Sequence, residues 1–229
     1  LIGLKKNIRK YDAFVVLTQE DKEAWGNMDN IRVIPNFLTE YPEKEAALTA
    51  KRVISVGRLS YQKGFDYLVQ IWNLVHQKRP DWQLCVFGNG EEVERKKLEE
   101  MIRGYGLEKS IALNPATSHI GEEYLKSSIY AMTSRFEGLP MVLLEVMSYG
   151  LPIVSFACPC GPKDVVDDSF GSLVPVGDID GFAQKLMEWI DDEDRRIAAG
   201  IAARESVKKY MQQQVMKEWN ELFLQLVHN

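Results

Sequence analysis

Short apolar runs alternate with longer stretches of helical periodicity through most of this 229-residue chain. Each run is about six residues long, and this alternation is typical of β-α-β units, in which helices connect parallel strands. The runs are RVISVG (52–57), WQLCVFG (82–88), SIALN (110–114), IYAMTS (129–134), LPIVSF (151–156) and GSLVPV (171–176). We therefore predict a doubly wound α/β domain, a Rossmann-like fold with six parallel strands.

Two regions lie outside this pattern. Near the start, AFVVLT (13–18) predicts a strand, and Thr18 can cap a short helix with Asp21 at the capping-box position. At the other end, apolar residues recur at helical spacing: Val207, Met211, Val215, Trp219, Leu222, Phe223 and Leu226. Such a stripe needs a surface to pack on. That surface is either the core of the same domain or a partner domain, and the residues leave both possibilities open.

Composition excludes several classes of protein. The formal net charge is −5 with Lys and Arg scattered, which argues against a nucleic-acid surface. No apolar stretch approaches the roughly 20 residues of a membrane span, and no signal peptide is visible. Three cysteines and three histidines predict neither a disulfide framework nor a metal site. We expect reduced cysteines and a cytoplasmic protein.

The loop after the first strand of the predicted sheet, GRLSYQKGF, carries two cations. In an open parallel sheet, ligands bind beyond the carboxyl ends of the strands. Gly57 permits a tight turn there, and Arg58 and Lys63 lie beside the start of the next helix, where free N–H groups also favour anions. The arrangement suits a diphosphate. The alternative, that both cations merely decorate a surface loop, stays open.

The loop after the second strand contains Gly88 and Gly90 in the sequence Gly-Asn-Gly-Glu. A short G-x-G is weak evidence, because it often marks only a turn. Its position at the same edge of the sheet adds a little. The missing side chains would let a sugar or a phosphate approach the backbone.

The stretch TSRFEGLPMVLLEVMSYGLPIV places a charge inside an apolar run. Pro140 suits the first position of a helix whose start can receive phosphate. Glu145 follows about five residues later, or roughly 7–8 Å along the axis, about the distance from a diphosphate to its ribose. An unpaired buried carboxylate costs several kcal/mol, so Glu145 needs a partner. A salt bridge for Glu145 and solvent exposure for Glu137 are the alternatives, but the joint arrangement favours a ligand.

The segments GRLSYQKG, FGNGEE and SRFEGLPMVLLEVMSYGLPIV closely resemble the donor-binding half of retaining glycosyltransferases with the two-domain GT-B fold, in the group 1 family (GT4). The hallmark of that family is Glu-x7-Glu, here Glu137 to Glu145, in a Glu-Gly-Leu-Pro context. The resemblance covers about residues 11–225 and is most specific over residues 134–154.

The resemblance implies a role for each candidate residue. Arg58 and Lys63 would hold the donor diphosphate and stabilise the leaving group, Glu137 would contact the donor sugar near its reacting carbon, and Glu145 would bind the ribose. The other implied donor-binding residues are Gly57, Gly88, Gly90, Asn114, Pro115, Gly138, Leu139 and Pro140. Asn114 and Pro115 would border the base. The family often has Gly where this chain has Pro115, which leaves the choice of nucleotide open.

The resemblance also implies a domain organisation. Residues 1–35 would be the end of an acceptor-binding domain and its linker, residues 36–205 the donor-binding domain, and residues 206–229 a helix that crosses back toward the first domain. The chain would then be the C-terminal half of a larger enzyme, inactive or weak alone.

The implied reaction is metal-independent and cofactor-free transfer of a sugar, with retention, from a nucleoside diphosphate that we expect to be UDP. The acceptor would be a glycan or a lipid-linked molecule in surface polysaccharide biosynthesis. The larger enzyme would lie in the cytoplasm, with peripheral association at the inner face of the membrane. The implied partners include no nucleic acid.

Two other functions remain open. One is a nucleotide-sugar-binding module without catalysis. The other is a sugar-nucleotide 2-epimerase, which shares the GT-B fold, although Glu-x7-Glu in its Glu-Gly-Leu-Pro context argues against it. A dinucleotide-binding domain is disfavoured because no G-x-G-x-x-G follows the first strand of the predicted sheet.

Overall fold

The computed structural model describes residues 7–26 and 28–228, so the first six residues of the predicted N-terminal segment lie outside the described residues, as do Asn27 and Asn229. The described chain contains two sheets. Strands β1 (Phe14–Val16) and β2 (Ile31–Val33) pair in parallel as a small sheet. The large sheet contains β3 (Arg52–Val56), β4 (Gln83–Phe87), β5 (Ile111–Asn114), β6 (Ile129–Met132), β7 (Ile153–Phe156) and β8 (Gly171–Val174). All six strands predicted for the large sheet are confirmed.

The strand order of the large sheet is β5-β4-β3-β6-β7-β8, and every neighbouring pair is parallel. This is the order of a doubly wound Rossmann-like sheet, in which the chain leaves the centre first toward one edge and then toward the other. The predicted fold class is confirmed.

Nine α-helices connect and flank these strands within the described residues. They are α1 (Gln19–Trp25), α2 (Phe65–Lys78), α3 (Glu92–Gly104), α4 (Ile120–Leu125), α5 (Met141–Ser148), α6 (Pro162–Val165), α7 (Ile179–Asp191), α8 (Glu193–Ser206) and α9 (Gln212–Val227). Right-handed crossovers place α2 and α3 on one face of the large sheet and α5 on the other.

The core of the large domain is apolar and includes two fully buried tryptophans. The indole N–H of Trp72 donates to the Ser110 hydroxyl at 3.3 Å, and that of Trp189 donates to the Ser172 hydroxyl at 3.0 Å. Both polar groups are therefore satisfied inside the core.

The switch point of the sheet lies between β3 and β6. The paired register of these strands covers only Val53 with Ile129 and Ile54 with Tyr130. Beyond it, the Ser55 hydroxyl donates to the Ala131 carbonyl at 2.6 Å, and the Tyr130 hydroxyl donates to the Val56 carbonyl at 3.2 Å. Side chains thus continue the connection where the backbone ladder stops, and a crevice opens beyond them.

The two ends of the described chain share a second, small core. Val215 and Leu222 of α9 pack on Ile34, and Ala13, Val15, Phe37 and Trp219 lie at the margin. The segment that leads from the small core to the large domain runs beside the segment that leads back to it. There the Leu38 N–H donates to the Tyr210 carbonyl at 2.8 Å.

The predicted C-terminal stripe is not one continuous helix. Helix α8 ends at Ser206, a 3-10 turn covers Val207–Tyr210, and α9 begins only at Gln212. Val207 is buried in the large core rather than in the stripe. In α9, Phe223 and Leu224 remain more than half exposed. The Thr18 cap of α1 is confirmed, because its hydroxyl accepts the Asp21 N–H at 3.0 Å.

Contacts also join α1 to the region of α6. The Asp164 carboxylate accepts the Gln19 N–H at 2.8 Å, while Glu20 accepts the Cys160 N–H at 2.9 Å and pairs with Lys163 at 2.9 Å. Each side therefore supplies a carboxylate to the backbone of the other. Among the helices of the described residues, none is both long and apolar enough to cross a membrane.

Candidate functional site

A cavity of about 320 Å³ lies at the carboxyl edge of the sheet, beside the switch point. It is lined by Val56, Gly57, Arg58, Phe87, Gly88, Asn89, Ala116, Thr117, Ile120, Tyr124 and Glu145. The structure therefore brings together four of the residues that the sequence singled out, from the loops after β3 and β4 and from helix α5. These are Gly57, Arg58, Gly88 and Glu145.

The glycines after β4 allow two loops to approach each other. A Cβ on Gly88 would lie 1.8 Å from the Gly57 carbonyl oxygen, and one on Gly90 would lie 2.2 Å from the Leu59 carbonyl oxygen. Both positions exclude a side chain for reasons of packing inside the protein. That the missing side chains also let a sugar or a phosphate approach the backbone stays a prediction, and Gly88 does line the cavity.

Arg58 is an exposed cation at the wall of this cavity. Among the residues that the structure describes, its guanidinium forms no ion pair and donates no hydrogen bond. An arginine without a protein partner is suited to a bidentate contact with phosphate oxygens.

Lys63 and Glu137 form an ion pair across the switch point. The distance from Lys63 Nζ to Glu137 Oε1 is 2.7 Å, and only 8% of the Glu137 side chain is exposed. The Glu137 N–H donates to the Pro159 carbonyl at 3.0 Å, which fixes the backbone beside the carboxylate. Solvent exposure, the alternative for Glu137, is therefore wrong.

Glu145 lines the cavity from the side of α5. Its Oε2 accepts a hydrogen bond from the Tyr124 hydroxyl at 3.3 Å, and no Lys, Arg or His pairs with it within the described part of the chain. Burial raises the pKa of Glu145, and the Tyr124 hydrogen bond opposes that rise. The salt bridge that was the alternative for Glu145 is not present among the described residues. The carboxylate keeps lone pairs for a ligand.

Glu145 also borders a second cavity of about 570 Å³. The two cavities share Ile120, Tyr124 and Glu145, and the second extends to residues 37–42, which follow β2. Sequence reasoning missed these residues. These residues belong to no regular helix or strand. The only sequence feature that could have indicated a cavity there was the density of aromatic side chains in FLTEYP.

Asn114 and Pro115 do not line the cavity. The Asn114 amide donates to the carbonyls of Ala112 at 3.2 Å and Val86 at 3.4 Å. Ala116 and Thr117 line the cavity in their place, and the Ala116 N–H donates to the Asn89 side-chain oxygen at 3.0 Å. The role of Asn114 and Pro115 at the base stays a prediction.

The turn before α5 presents free backbone donors. Pro140 is the residue that precedes the first turn of α5, close to the predicted position. Within the described residues, the N–H groups of Gly138 and Leu139 donate to no protein acceptor. Gly138 is exposed, and Leu139 is buried. Free N–H groups at a helix start can bind an anion.

No group of three or more His, Cys, Asp or Glu side chains in the described ranges could hold a metal ion. The three cysteines are free thiols, and burial raises the pKa of Cys158 to about 12. Metal-independent chemistry remains a prediction, and so do the roles of the individual site residues.

The strand order and the crevice at the switch point define a doubly wound α/β domain of the kind that binds ligands at the carboxyl edge of its sheet. The family model described as Glycosyl transferases group 1 matches residues 39–206, and the chain belongs to this family.

Curated relatives extend this assignment. The chain is similar to the amylovoran biosynthesis glycosyltransferase AmsD of Erwinia amylovora, with 36% identity over 218 residues. The match covers 91% of this chain and 61% of AmsD. This chain is also 31% identical to the exopolysaccharide phosphotransferase SCO2592 of Streptomyces coelicolor. That match covers 94% of this chain and 24% of SCO2592. The chain thus spans about three fifths or less of these relatives.

Solved structures agree on the GT-B fold. A crystal structure of an S. aureus TarM mutant, in complex with fondaparinux, alpha-GlcNAc-glycerol and UDP, aligns with a TM-score of 0.85 and 26% identity. The alignment covers 96% of this chain and 45% of that one. More than half of the TarM chain is therefore unmatched.

Proposed function

We propose that this chain is the donor-binding half of a retaining GT4 glycosyltransferase and that the cavity at the switch point takes the nucleoside diphosphate of a sugar donor, with UDP as the nucleotide. The observation that carries this proposal is that Arg58 and Glu145 line one cavity, each without a counter-ion among the described residues. Opposite charges left unpaired in one cavity suit a ligand that is anionic at one end and rich in hydroxyl groups at the other.

We place the donor in this cavity in one orientation. The diphosphate extends from Arg58 at the cavity wall toward the free N–H groups of Gly138 and Leu139, which do not themselves line the cavity. The ribose hydroxyls donate to Glu145, whose ionised carboxylate has acceptor oxygens and no donor. The base lies against Ala116 and Thr117 at the far wall.

The proposed reaction breaks the bond between the sugar anomeric carbon and the diphosphate oxygen and forms a bond from that carbon to an acceptor hydroxyl oxygen on the same face. The acceptor proton passes to the departing phosphate oxygen. Arg58, Lys63 and the donors before α5 stabilise the charge that develops on the leaving group. Glu137 lies beside the sugar through its pair with Lys63. The two carboxylates are not a glycosidase acid–base pair.

The binding site for the acceptor lies in the remaining part of a longer protein. AmsD is named for amylovoran biosynthesis, and the TarM mutant was solved with a GlcNAc-glycerol and UDP. By this similarity, we assign the longer protein to surface polysaccharide biosynthesis, with a glycan or lipid-linked acceptor, in the cytoplasm at the inner face of the membrane. The exposed apolar side chains of α9 support a further domain that covers them.

Nucleotide binding by this chain tests the proposal directly. Calorimetry and thermal unfolding are measured with UDP, GDP, ADP, dTDP and NAD. A ligand at ten times its Kd adds about 1.4 kcal/mol of stability, or about 3–5 °C for a domain of this size. We expect a shift with UDP and a loss of that shift in Glu145→Gln. Equal shifts with NAD, or none with any nucleotide, would contradict the proposal.

A further inference from the structure

The loops that carry Lys63 and Glu137 begin where β3 and β6 stop pairing. The backbone register of these strands ends at Ile54 and Tyr130, several residues before either side chain. The ladder alone therefore does not fix how far apart the two loops lie. Something else must hold the 2.7 Å distance between Lys63 Nζ and Glu137 Oε1.

The side chain of Arg135 joins the two loops. Its guanidinium donates to both carboxylate oxygens of Asp66, at 2.8 and 2.6 Å, and to the Tyr61 carbonyl at 2.7 Å. Only 11% of the Arg135 side chain is exposed. Asp66 and Tyr61 both belong to the segment after β3, whereas Arg135 lies two residues before Glu137.

Two aromatic rings enclose the same guanidinium. The centre of the guanidinium lies 4.0 Å from the Tyr61 ring centroid and 4.1 Å from that of Tyr67. A planar cation can use both faces for ring contacts while its edge makes the fork with a carboxylate, which an ammonium cannot do. The geometry therefore requires arginine and not only a positive charge.

Three further hydrogen bonds join the same two loops. The Arg135 N–H donates to the Gln62 carbonyl at 2.8 Å, the Gln62 amide donates to the Phe136 carbonyl at 3.0 Å, and the Thr133 hydroxyl donates to the Lys63 carbonyl at 3.3 Å. These bonds involve Lys63 itself, its neighbour Gln62, and Phe136, the neighbour of Glu137. A change in the Arg135 contacts is thus transmitted to both members of the ion pair.

We propose that Arg135 is a positioning residue, which fixes the spacing between the loops after β3 and β6 and so holds Lys63 and Glu137 together at the edge of the donor site. Arg135 does not line the cavity proposed for the donor. The consequence for donor binding rests on the proposed function, whereas the consequence for the ion pair does not.

A ligand-free labelling experiment tests the positioning itself. Amine acylation of Lys63 is followed by mass spectrometry in the unaltered protein, in Arg135→Gln and in Asp66→Asn. We expect Lys63 to react several-fold faster in both variants, because its ammonium is released from Glu137. Arg135→Lys, which keeps the charge but loses the fork and the ring contacts, should behave like Arg135→Gln. Unchanged labelling of Lys63 in folded variants would overturn the proposal.

Arg79 provides a matched control. It also forms a two-bond fork, with Asp191, at the far end of α2 and away from the cavity. Arg79→Gln should lower the midpoint of thermal unfolding without changing the labelling of Lys63. Equal labelling changes in the Arg79 and Arg135 variants would mean general destabilisation and would overturn the proposal.

Calorimetry with UDP and uridine separates this inference from the proposed function. We expect Arg135→Gln to weaken UDP binding about tenfold, equivalent to about 1.4 kcal/mol, because the displaced loop carries Lys63 away from the diphosphate as well as from Glu137, whereas Glu137→Gln leaves Lys63 in place. Uridine binding should stay nearly unchanged. If the unaltered protein binds neither ligand, the proposed function fails and the labelling result still decides the role of Arg135. If UDP binds equally well to both proteins, the positioning role fails alone.

Discussion

The ammonium of Lys63 lies 2.7 Å from the carboxylate of Glu137, although 74 residues separate them in the chain. The cation proposed to hold the donor diphosphate therefore has a carboxylate partner within the protein. A diphosphate that enters the site competes with Glu137 for the same ammonium. The carboxylate thus opposes nucleotide binding even if it assists the transfer of the sugar.

Glu137→Gln should bind UDP more tightly than the unaltered chain. The substitution removes a negative charge beside the diphosphate and frees Lys63. We expect a gain of about 1–2 kcal/mol, between about 1 kcal/mol for a charge pair in water and about 4 kcal/mol for one near a protein surface. Isothermal titration calorimetry measures the gain. In the longer protein the same variant should transfer sugar more slowly. Weaker UDP binding by Glu137→Gln would show that Glu137 does not compete for Lys63.

Arg58→Ala should weaken UDP binding by about 1.5–3 kcal/mol, the range for a hydrogen bond to a charged group. Uridine, which lacks the diphosphate, should lose much less affinity. Calorimetry with both ligands gives the difference. Arg103→Ala, which removes an exposed arginine on α3, is the control and should change neither affinity. Equal losses for UDP and uridine would remove the diphosphate role from Arg58.

Glu145→Gln should weaken UDP and uridine alike, by about 1–3 kcal/mol, because both ligands carry the ribose hydroxyls. The variant keeps an oxygen that can accept the Tyr124 hydroxyl, so the fold should persist. Calorimetry at neutral pH measures both losses. A loss confined to UDP would place the carboxylate near the diphosphate and not near the ribose.

Glu145→Gln should also become relatively more stable as the pH rises. Burial raises the folded-state pKa of Glu145 above its unfolded value near 4.3. The neutral carboxyl is thus favoured in the fold, and its contribution is present below the unfolded pKa and lost as pH rises through the folded pKa. The difference in unfolding midpoint between the variant and the unaltered chain should grow in favour of the variant from about pH 4 to about pH 8. A difference that shrinks would contradict the assignment.

Phe223→Ser should affect this chain and the longer protein differently. The Phe223 side chain is 53% exposed here, so the substitution should change the free energy of unfolding by about 0.5 kcal/mol or less. If another domain covers α9 in the longer protein, the same change should cost at least about 2 kcal/mol there. Denaturant unfolding measures both. Ile201→Ser, on the exposed face of α8, is the control and should be neutral in both proteins.

The fold could be predicted because parallel strands buried on both faces are almost wholly apolar. Strands such as β6 and β7 are buried at every position, and their sequences interrupt the helical periodicity clearly. The boundary before α9 could not be predicted, because Val207 and Met211 continue the spacing of the stripe while the backbone changes to a 3-10 turn.

The candidate site was only partly predictable. A charge within an apolar helix marked Glu145, and two cations after a strand marked Arg58 and Lys63. Pairings between distant loops leave no local trace, so neither the Lys63–Glu137 ion pair nor the partner of Arg135 could be inferred. The glycines after β4 were interpreted through a ligand, although a backbone carbonyl of the protein explains them as well.

The hydrogen bond between Leu38 and Tyr210 restricts how the small core can move relative to the large domain. The chain crosses between them twice, side by side, once near residue 38 and once near residue 211. A single linker can twist as well as bend, whereas two bonded crossings resist torsion and permit bending mainly about one axis. If a further domain packs with α9, we therefore expect it to move relative to the crevice mainly by bending about one axis, and not by free rotation.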